Sequence, residues 1–378
     1  MQDWSNQWFD FEDACYLDAA GQGPLPRVAI RAAEQALEWK KFPYRMPANA
    51  YFDLPSRVRA SLARLIGAAP EEIAITTGAS AGLAAVAHGI DWKRDDEVLV
   101  ARGEFPAHFA TWLPLEAAGA LKVTVVSPRG RFISADDFLE RIGPRTRLVS
   151  TSLVRFDDSA LLDAARLAHA CHGAGALLLL DVAQCAGAMP IDARALGADF
   201  ITGAGYKWLL SPYGTGFFWA PTERIEQMRP GPCYWTALEG SEQFHTLSQG
   251  GYRLGRGARR FDAPETASFF NLSAMDASLE LLLRVGVETV REHAQRLTAL
   301  VSERLPRDRF VLASPAAAGR RGPSVCIAAR RAEDTPALFE RLREARVYVS
   351  LREGALRIAP HLYNSERDID RMLAILAA

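Results

Sequence analysis

The chain has 378 residues, 49% of them hydrophobic, which is enough for a large buried core in one or two domains. Lysine plus arginine (44) nearly balances aspartate plus glutamate (45), which argues against a surface that binds nucleic acid. The sequence has no apolar run long enough for a membrane span, no signal peptide at its start and five scattered cysteines, so we expect a protein of the reducing cytoplasm. It has no CxxC or HExxH pattern, which argues against a bound metal.

Strand and helix patterns alternate through the first two thirds of the chain. Short runs rich in Val, Ile, Leu and Thr are typical of strands, and the segments between them carry apolar residues at helical spacing. We predict strands at 73–77, 97–100, 121–126, 147–151, 177–180 and 214–219, and helices at 56–66, 80–90, 159–172 and from 134 onward. This alternation predicts an α/β fold, in which a mostly parallel sheet has helices on both faces.

The last third of the chain has a different pattern. Residues 229–260 are rich in Gly, Arg and aromatic residues but show little periodicity, which is typical of a functional or interfacial segment. After this segment, two predicted helices precede short strands, and a capping box at Ser365 begins a terminal helix. We therefore predict a large domain of residues 16–262 and a small α+β domain made of residues 1–15 and 263–378.

A glycine-rich turn joins a predicted strand to a predicted helix at residues 76–82. Backbone N–H groups at the start of a helix form a natural site for a phosphate group. The hydroxyl of Ser80 can add a further donor. We therefore predict that Ala79 and Ser80 contact a phosphate.

The same turn also matches G-x-S-x-G, the nucleophile elbow of α/β-hydrolases. A serine hydrolase would need an acid and a late histidine, and His361 is available for that role. It would also need an oxyanion loop, but no HGGG-like segment precedes Ser80. A hydrolase is thus an alternative outside the main hypothesis, and it leaves the next pair of residues without a role.

Asp181 and Lys207 are the most informative pair in the chain. The leucine run 177–180 predicts a strand buried on both faces, and ligands of parallel sheets lie beyond the carboxyl ends of their strands, where Asp181 falls. Gly203 and Gly205 keep bulk away from the backbone before Lys207. A lysine amine can form a Schiff base with pyridoxal 5'-phosphate, and a carboxylate can keep its pyridine nitrogen protonated. Together they predict an enzyme of this kind that acts on an amino acid, whereas a lone lysine would be a solvated surface residue.

These features resemble the class V aminotransferase family, whose relatives include cysteine desulfurases, kynureninases and isopenicillin N epimerases. The resemblance runs from residues 16–20 to residues 363–364 and implies a fold-type I architecture with a seven-stranded, mostly parallel sheet. It also implies that Asp181 contacts the pyridine nitrogen, that Gln184 bonds the ring oxygen and that Lys207 is the catalytic lysine.

The resemblance implies further contacts with the cofactor and the substrate. Tyr206 is similar to the tyrosine that reaches the phosphate in kynureninases, and Phe105 to the residue that stacks on the cofactor face. Thr266 resembles a residue that reaches the partner's phosphate, which implies a homodimer with shared active sites; an N-cap of the following helix is the alternative. Arg357 matches the arginine that holds the substrate carboxylate, a group that suits its two-pronged donor. Arg352 is a second predicted substrate contact, with a solvated loop charge as the alternative.

Two departures from the family pattern bear on the reaction. Desulfurases carry a mobile catalytic cysteine before the matching arginine, but residues 349–354 stand in its place here and no cysteine follows Cys326. Ala204 stands where relatives often have a phosphate-binding serine. We therefore expect no desulfuration through a persulfide on the protein. Transamination is the leading expectation, with C–S lysis or epimerisation without a catalytic cysteine as alternatives.

Overall fold

The structure is a computed structural model that describes residues 3–231, 233–249, 252–266 and 268–378. Its strands are β1 (Cys15–Tyr16), β2 (Ile73–Thr76), β3 (Glu97–Ala101), β4 (Lys122–Val126), β5 (Thr146–Ser152), β6 (Leu177–Asp181), β7 (Phe200–Ala204), β8 (Gly216–Trp219), β9 (Phe310–Leu312), β10 (Val325–Ala329), β11 (Val347–Tyr348), β12 (Ser350–Arg352) and β13 (Ala355–Ile358). Its helices are α1 (Arg27–Lys41), α2 (Ala50–Ile66), α3 (Ala79–Gly89), α4 (Pro106–Ala117), α5 (Ala135–Leu139), α6 (Ala164–Gly173), α7 (Thr222–Gln227), α8 (Phe269–Val285), α9 (Val287–Arg304), α10 (Asp334–Glu344) and α11 (Glu366–Ala377). Within these ranges we find no helix that is long and apolar enough to span a membrane.

A seven-stranded sheet forms the centre of the molecule, with the strand order β2-β8-β7-β6-β5-β3-β4. The five strands from β7 to β4 run parallel, and β8 runs antiparallel to both of its neighbours. Every residue of β6 is buried, as expected for an apolar strand in the middle of a parallel sheet. Leu179 belongs to the core that includes α3 and α4, while Leu178 and Leu180 belong to the core that includes α6. The sheet therefore has apolar cores on both of its faces.

A smaller antiparallel sheet, with the order β12-β13-β10-β9, lies in the last third of the chain. Its apolar residues pack with those of α9, α10 and α11 in a separate hydrophobic cluster. The N-terminal strand β1 joins this part of the molecule, because it pairs in parallel with β11. Just after β1, Asp18 forms a bridge with Ala359, which follows β13. The two ends of the chain are thus held together, while the predicted boundary between residues 262 and 263 stays a prediction.

The predicted fold class is confirmed, with the mixed seven-stranded sheet and the small antiparallel sheet both present. The helix predicted at 159–172 is wrong at its start, because Ser159 has a φ of 62° and α6 begins only after Asp163, whose carboxylate accepts a hydrogen bond from the backbone of Arg166. The strand β7, whose carboxyl end leads to Lys207, was not predicted from the sequence.

Candidate active site

A cavity of about 390 Å³ lies at the carboxyl ends of β5, β6 and β7. This is where parallel sheets hold their ligands, because the loops that follow the strands diverge there. The structure brings seven of the predicted site residues together around this cavity, and their roles stay predictions: Ala79, Ser80, Phe105, Asp181, Gln184, Tyr206 and Lys207.

Lys207 is positioned by a tight loop between β7 and β8. Gly23 packs directly against this loop, since a Cβ at Gly23 would lie 2.0 Å from the carbonyl oxygen of Lys207. The lysine is only 7% exposed, and its Nζ lies 5.4 Å from the ring centres of both Phe105 and Tyr206. Burial lowers the pKa of Lys207 to about 8, even though the charge of Asp181 opposes the shift. The neutral amine is therefore far more populated near neutral pH than that of an ordinary lysine.

Asp181 is the last residue of β6, and its carboxylate is held at the edge of the cavity. One oxygen, Oδ1, accepts a hydrogen bond of 2.7 Å from the backbone N–H of Ala183. The other oxygen, Oδ2, lies 3.8 Å from Nε2 of the fully buried His108. The side-chain amide of Gln184 donates to the carbonyl oxygen of Ala20 at 3.4 Å. His108 was not among the predicted site residues, because no local sequence signal connects it to Asp181.

Glu104 is a second buried carboxylate, and it was not among the predicted site residues. It accepts hydrogen bonds from the backbone of Phe105 at 2.9 Å and from the hydroxyl of Ser152 at 2.7 Å. Burial alone would raise the pKa of Glu104, but the charges of His108 and Arg155 hold it below its usual range. Because Glu104 fixes the backbone of Phe105, that ring faces the cavity at 38% exposure and meets Phe156 edge to face.

The first turn of α3 forms one end of the cavity. Ala79 and Ser80 begin this helix directly after Gly78, and helix N-terminal N–H groups favour negative charge. Gly216 is needed for this approach, since a Cβ there would lie 2.6 Å from the Cα of Gly78. Ala204 also lines the cavity and offers no hydroxyl. The phosphate site predicted at this turn thus has its backbone donors but lacks a serine at position 204.

Arg357 does not line this cavity, and its guanidinium is already engaged. It is 1% exposed and donates to Asp18 at 3.1 Å, to the carbonyl oxygen of Phe156 at 2.9 Å and to the hydroxyl of Ser350 at 3.3 Å. Only its Nε has no hydrogen-bond partner among the described residues. A substrate carboxylate would therefore meet an arginine whose charge is already paired with Asp18. Asp18 was not among the predicted site residues.

Arg352 lies near Arg357 but differs from it in its surroundings. Ser350 pairs with Arg357 and Arg352 with Ala355, so the β12–β13 register places both arginines on one face of the hairpin. The side chain of Arg352 is exposed, and its one hydrogen bond within the described ranges goes to the carbonyl oxygen of Leu351. Both guanidinium groups lower the pKa of Lys207, which indicates that their charges act on the cavity.

Thr266 lies apart from the cavity around Lys207. It lines a second cavity of about 330 Å³, together with Arg59, Arg256 and Asp262. Its hydroxyl donates to the carbonyl oxygen of Ala263, and the N-cap of α8 is Ser268, so the N-cap alternative is wrong. The predicted phosphate contact of Thr266 thus depends on a second copy of the chain.

His361 is not placed for the hydrolase alternative. It is completely buried, with its ring within 6.0 Å of those of Trp8, Trp208 and Tyr363. Its ring nitrogens have no hydrogen-bond partner among the described residues, and burial lowers its pKa to about 3. Ser80 lines the cavity around Lys207, but His361 does not.

Several known proteins are similar to this chain in sequence or in fold. The probable cysteine desulfurase of Methanothermobacter thermautotrophicus is 28% identical over 76% of this chain and 71% of that protein. The isopenicillin N epimerase of Streptomyces clavuligerus is 27% identical over 96% and 94% of the two chains. The solved complex of the cystine C–S lyase C-DES with cysteine persulfide has a TM-score of 0.87 at 24% identity and covers 97% of this chain and 98% of that one, which establishes the shared fold.

The family profile described as "Aminotransferase class-V" matches residues 15–372, and the chain belongs to this family of pyridoxal phosphate enzymes. Its cofactor is therefore pyridoxal 5'-phosphate. The cavity fits this group: it combines a helix N-terminus, an exposed aromatic face at Phe105, a carboxylate at Asp181 and a buried amine at Lys207. That amine forms no hydrogen bond or ion pair within the described residues, which leaves it free to bind an aldehyde.

Proposed function

We propose that this protein is a C–S lyase that removes a sulfur-containing group from the β-carbon of an amino acid. Transamination was the leading expectation from the sequence. The comparisons favour sulfur chemistry instead, because a probable cysteine desulfurase and a cystine C–S lyase are among the similar proteins. The family assignment supports the shared first step, the loss of the proton on the α-carbon.

The placement of the cysteines is the observation that carries this proposal. Cys326 is fully buried in β10 and lies opposite Arg357 in the sheet, and burial raises the pKa of its thiol to about 12. The exposed Cys233 lies against the carbonyl oxygens of Gly231 and Arg260, and it does not line the cavity. The remaining three cysteines are buried. Since no thiolate is available to take sulfur from the substrate, the sulfur would have to leave with its own substituent.

Pyridoxal phosphate, when bound, supplies an electron sink for the negative charge that develops at the α-carbon. Lys207 is the base placed to take the α-proton on its Nζ, because burial keeps much of this amine neutral near pH 8. The C–S bond then breaks with its electrons on sulfur, and Lys207 can return the proton to the leaving thiolate. With one water consumed, the products are a thiol, ammonium and pyruvate, or a persulfide in place of the thiol when the substrate is a disulfide.

Other residues of the chain would orient the two reacting partners. Asp181 would hold the proton on the pyridine nitrogen, and Phe105 would cover one face of the ring. The buried Arg357 would bind the substrate carboxylate through its unpartnered Nε or by releasing Asp18. Arg352, with an unpaired charge on the same hairpin face, is a second anchor for a carboxylate.

We also propose that the enzyme works as a cytoplasmic homodimer in which the active sites are shared. All five cysteines are free, in agreement with a reducing compartment. Thr266 lies outside the cavity of its own chain, so a role at a phosphate requires the site of a partner.

A product assay tests the proposed reaction. The cofactor-loaded protein is incubated with cystine and with S-alkylcysteines, and pyruvate, thiol or persulfide, and keto acids are measured. We expect pyruvate and the sulfur product in equal amounts, no activity for Lys207→Ala and unchanged activity for the control Cys326→Ser. A keto acid formed with transfer of the amino group to a second substrate, or inversion at the α-carbon without pyruvate, would overturn the proposal in favour of transamination or epimerisation.

A further inference from the structure

A line of fully buried polar groups leads from the core to Asp181. Trp112 and His108 lie one turn apart on α4, and Ser150 lies on β5 beside them. The indole Nε1 of Trp112 is 3.2 Å from the hydroxyl of Ser150, and that hydroxyl is 2.8 Å from Nδ1 of His108. Nε2 of His108 in turn lies 3.8 Å from Oδ2 of Asp181.

The chemistry of Trp112 fixes the direction of the first of these hydrogen bonds. An indole N–H can only donate, so the oxygen of Ser150 accepts from it. The Ser150 hydroxyl keeps its own hydrogen, which it can donate to Nδ1 of His108, and the proton of the neutral imidazole then lies on Nε2, on the side of Asp181. If His108 takes up a second proton, Nε2 keeps its own. In both charge states an N–H of His108 faces Asp181.

The charges around His108 support this arrangement. Burial lowers the pKa of His108, but Glu104 and Asp181 outweigh burial and the repulsion from Arg155, so that the pKa is raised. Nε2 has no hydrogen-bond partner among the described residues. Asp181 has Oδ1 occupied by the backbone of Ala183, so Oδ2 is the oxygen left for His108. The separation of 3.8 Å is longer than a hydrogen bond, so a hydrogen bond here requires a small rotation of the carboxylate.

We propose that His108 is a positioning residue: its Nε2–H holds the Asp181 carboxylate toward the pyridine nitrogen, and Trp112 and Ser150 fix the tautomer that makes this possible. The inference rests on the proposed function for the role of Asp181 in turnover. The contacts from Trp112 through Ser150 to His108 do not involve a ligand, so the tautomer of His108 can also be measured in the cofactor-free protein.

A matched pair of variants tests the role in the loaded enzyme. Gln carries an amide N–H near the position of Nε2, whereas Asn carries one near Nδ1. We expect His108→Asn to lower kcat about ten- to a hundredfold, with the KM changed less than threefold and the absorption spectrum of the bound cofactor altered. His108→Gln should restore kcat to within about threefold of the unaltered enzyme. Equal losses in both variants, with both folded by circular dichroism, would overturn the proposal.

Nitrogen NMR of the cofactor-free protein, labelled with ¹⁵N-histidine, gives a readout that does not depend on activity. The His108 signal is assigned by its absence from His108→Gln, and we expect Nε2 to be protonated at every pH at which the protein is folded. Ser150→Ala should shift the neutral form toward a mixture of tautomers. A neutral His108 with its proton on Nδ1 would overturn the proposal. A protein that shows the Nε2–H but releases no pyruvate from sulfur amino acids would refute the proposed function. The positioning role of His108 would not be affected by that result.

Discussion

The cavity around Lys207 and the hairpin that carries Arg357 differ in whether their buried cation has an ion-pair partner. In the cavity, Lys207 is buried without an ion pair, and the cost of burial appears as a pKa lowered to about 8. On the hairpin, Arg357 is buried even more completely, but Asp18 lies 3.1 Å from its guanidinium and compensates its charge. An unpaired buried amine is reactive, whereas a paired guanidinium is a fixed structural element. The difference supports the proposal that Lys207 does the chemistry, while the ion pair of Arg357 with Asp18 holds the hairpin in place.

Removal of the reactive amine should have the largest effect. We expect Lys207→Ala to lower kcat by about four orders of magnitude and to abolish the yellow colour of the loaded protein. Borohydride reduction followed by peptide mapping should place the pyridoxyl group on Lys207. A pyridoxyl group on the exposed Lys93 or on any other lysine would show that the unpaired amine is not the reactive one.

The carboxylate of Asp181, which lines the same cavity, gives the second test. We expect Asp181→Asn to bind the cofactor but to lower kcat about a hundred- to a thousandfold, because the pyridine nitrogen loses its proton. The measurement is steady-state kinetics beside an absorbance titration with pyridoxal phosphate. Turnover within a few-fold of the unaltered enzyme would remove Asp181 from the mechanism.

Burial of Lys207 without an ion pair should lower the free energy of unfolding of the cofactor-free protein. Because the folded-state pKa of Lys207 is about 8, below its ordinary 10.5, the unfolded chain binds more protons between these values and stability should rise with pH across that window. Below pH 8 the full penalty applies, so Lys207→Met should raise the free energy of unfolding by about 3 kcal/mol at pH 7. Urea titrations at pH 7 and pH 10 measure the free energy of unfolding of both proteins. An equal gain from Lys207→Met at the two pH values would contradict the lowered pKa.

The two arginines of the hairpin separate structure from recognition. Arg357→Ala should raise the substrate KM about ten- to a hundredfold, about 1.5–3 kcal/mol, and should also lower the melting temperature because Asp18 loses its buried partner. Arg352→Ala is the matched control: its side chain is exposed, so we expect an effect on KM without a change in melting temperature. If Arg357→Ala leaves KM unchanged, the carboxylate is bound elsewhere.

Thr266 should give the smallest effect. If it reaches the phosphate of a partner, Thr266→Ala should weaken cofactor binding about three- to tenfold, and binding by the unaltered protein should weaken on dilution. Sedimentation and cofactor titration over the same concentration range test both statements. A monomer that keeps full cofactor affinity would remove Thr266 from the site.

The sequence allowed much of the cavity to be predicted because its residues follow strands. An apolar strand that ends in Asp181, and glycines before Lys207, carry their own local signals, and the parallel sheet brings their ends together. The surroundings of Arg357 gave no such signal, since its partner Asp18 comes from the other end of the chain. His108 was missed for a similar reason: its role depends on Ser150, which only the packing of α4 on the sheet places beside it.

The contact between Asp18 and Arg357 also sets an order of events during synthesis. Arg357 lies 339 positions after Asp18, so a ribosome that adds about 5–20 residues per second needs roughly 17–70 seconds to produce the partner. Until then the Asp18 carboxylate lacks the guanidinium that pairs with it. The strand that pairs with β1, β11, also comes from this late part of the chain. The ion pair between Asp18 and Arg357 therefore forms only on a chain whose translation has reached this hairpin, which makes its assembly a late step in the maturation of the enzyme.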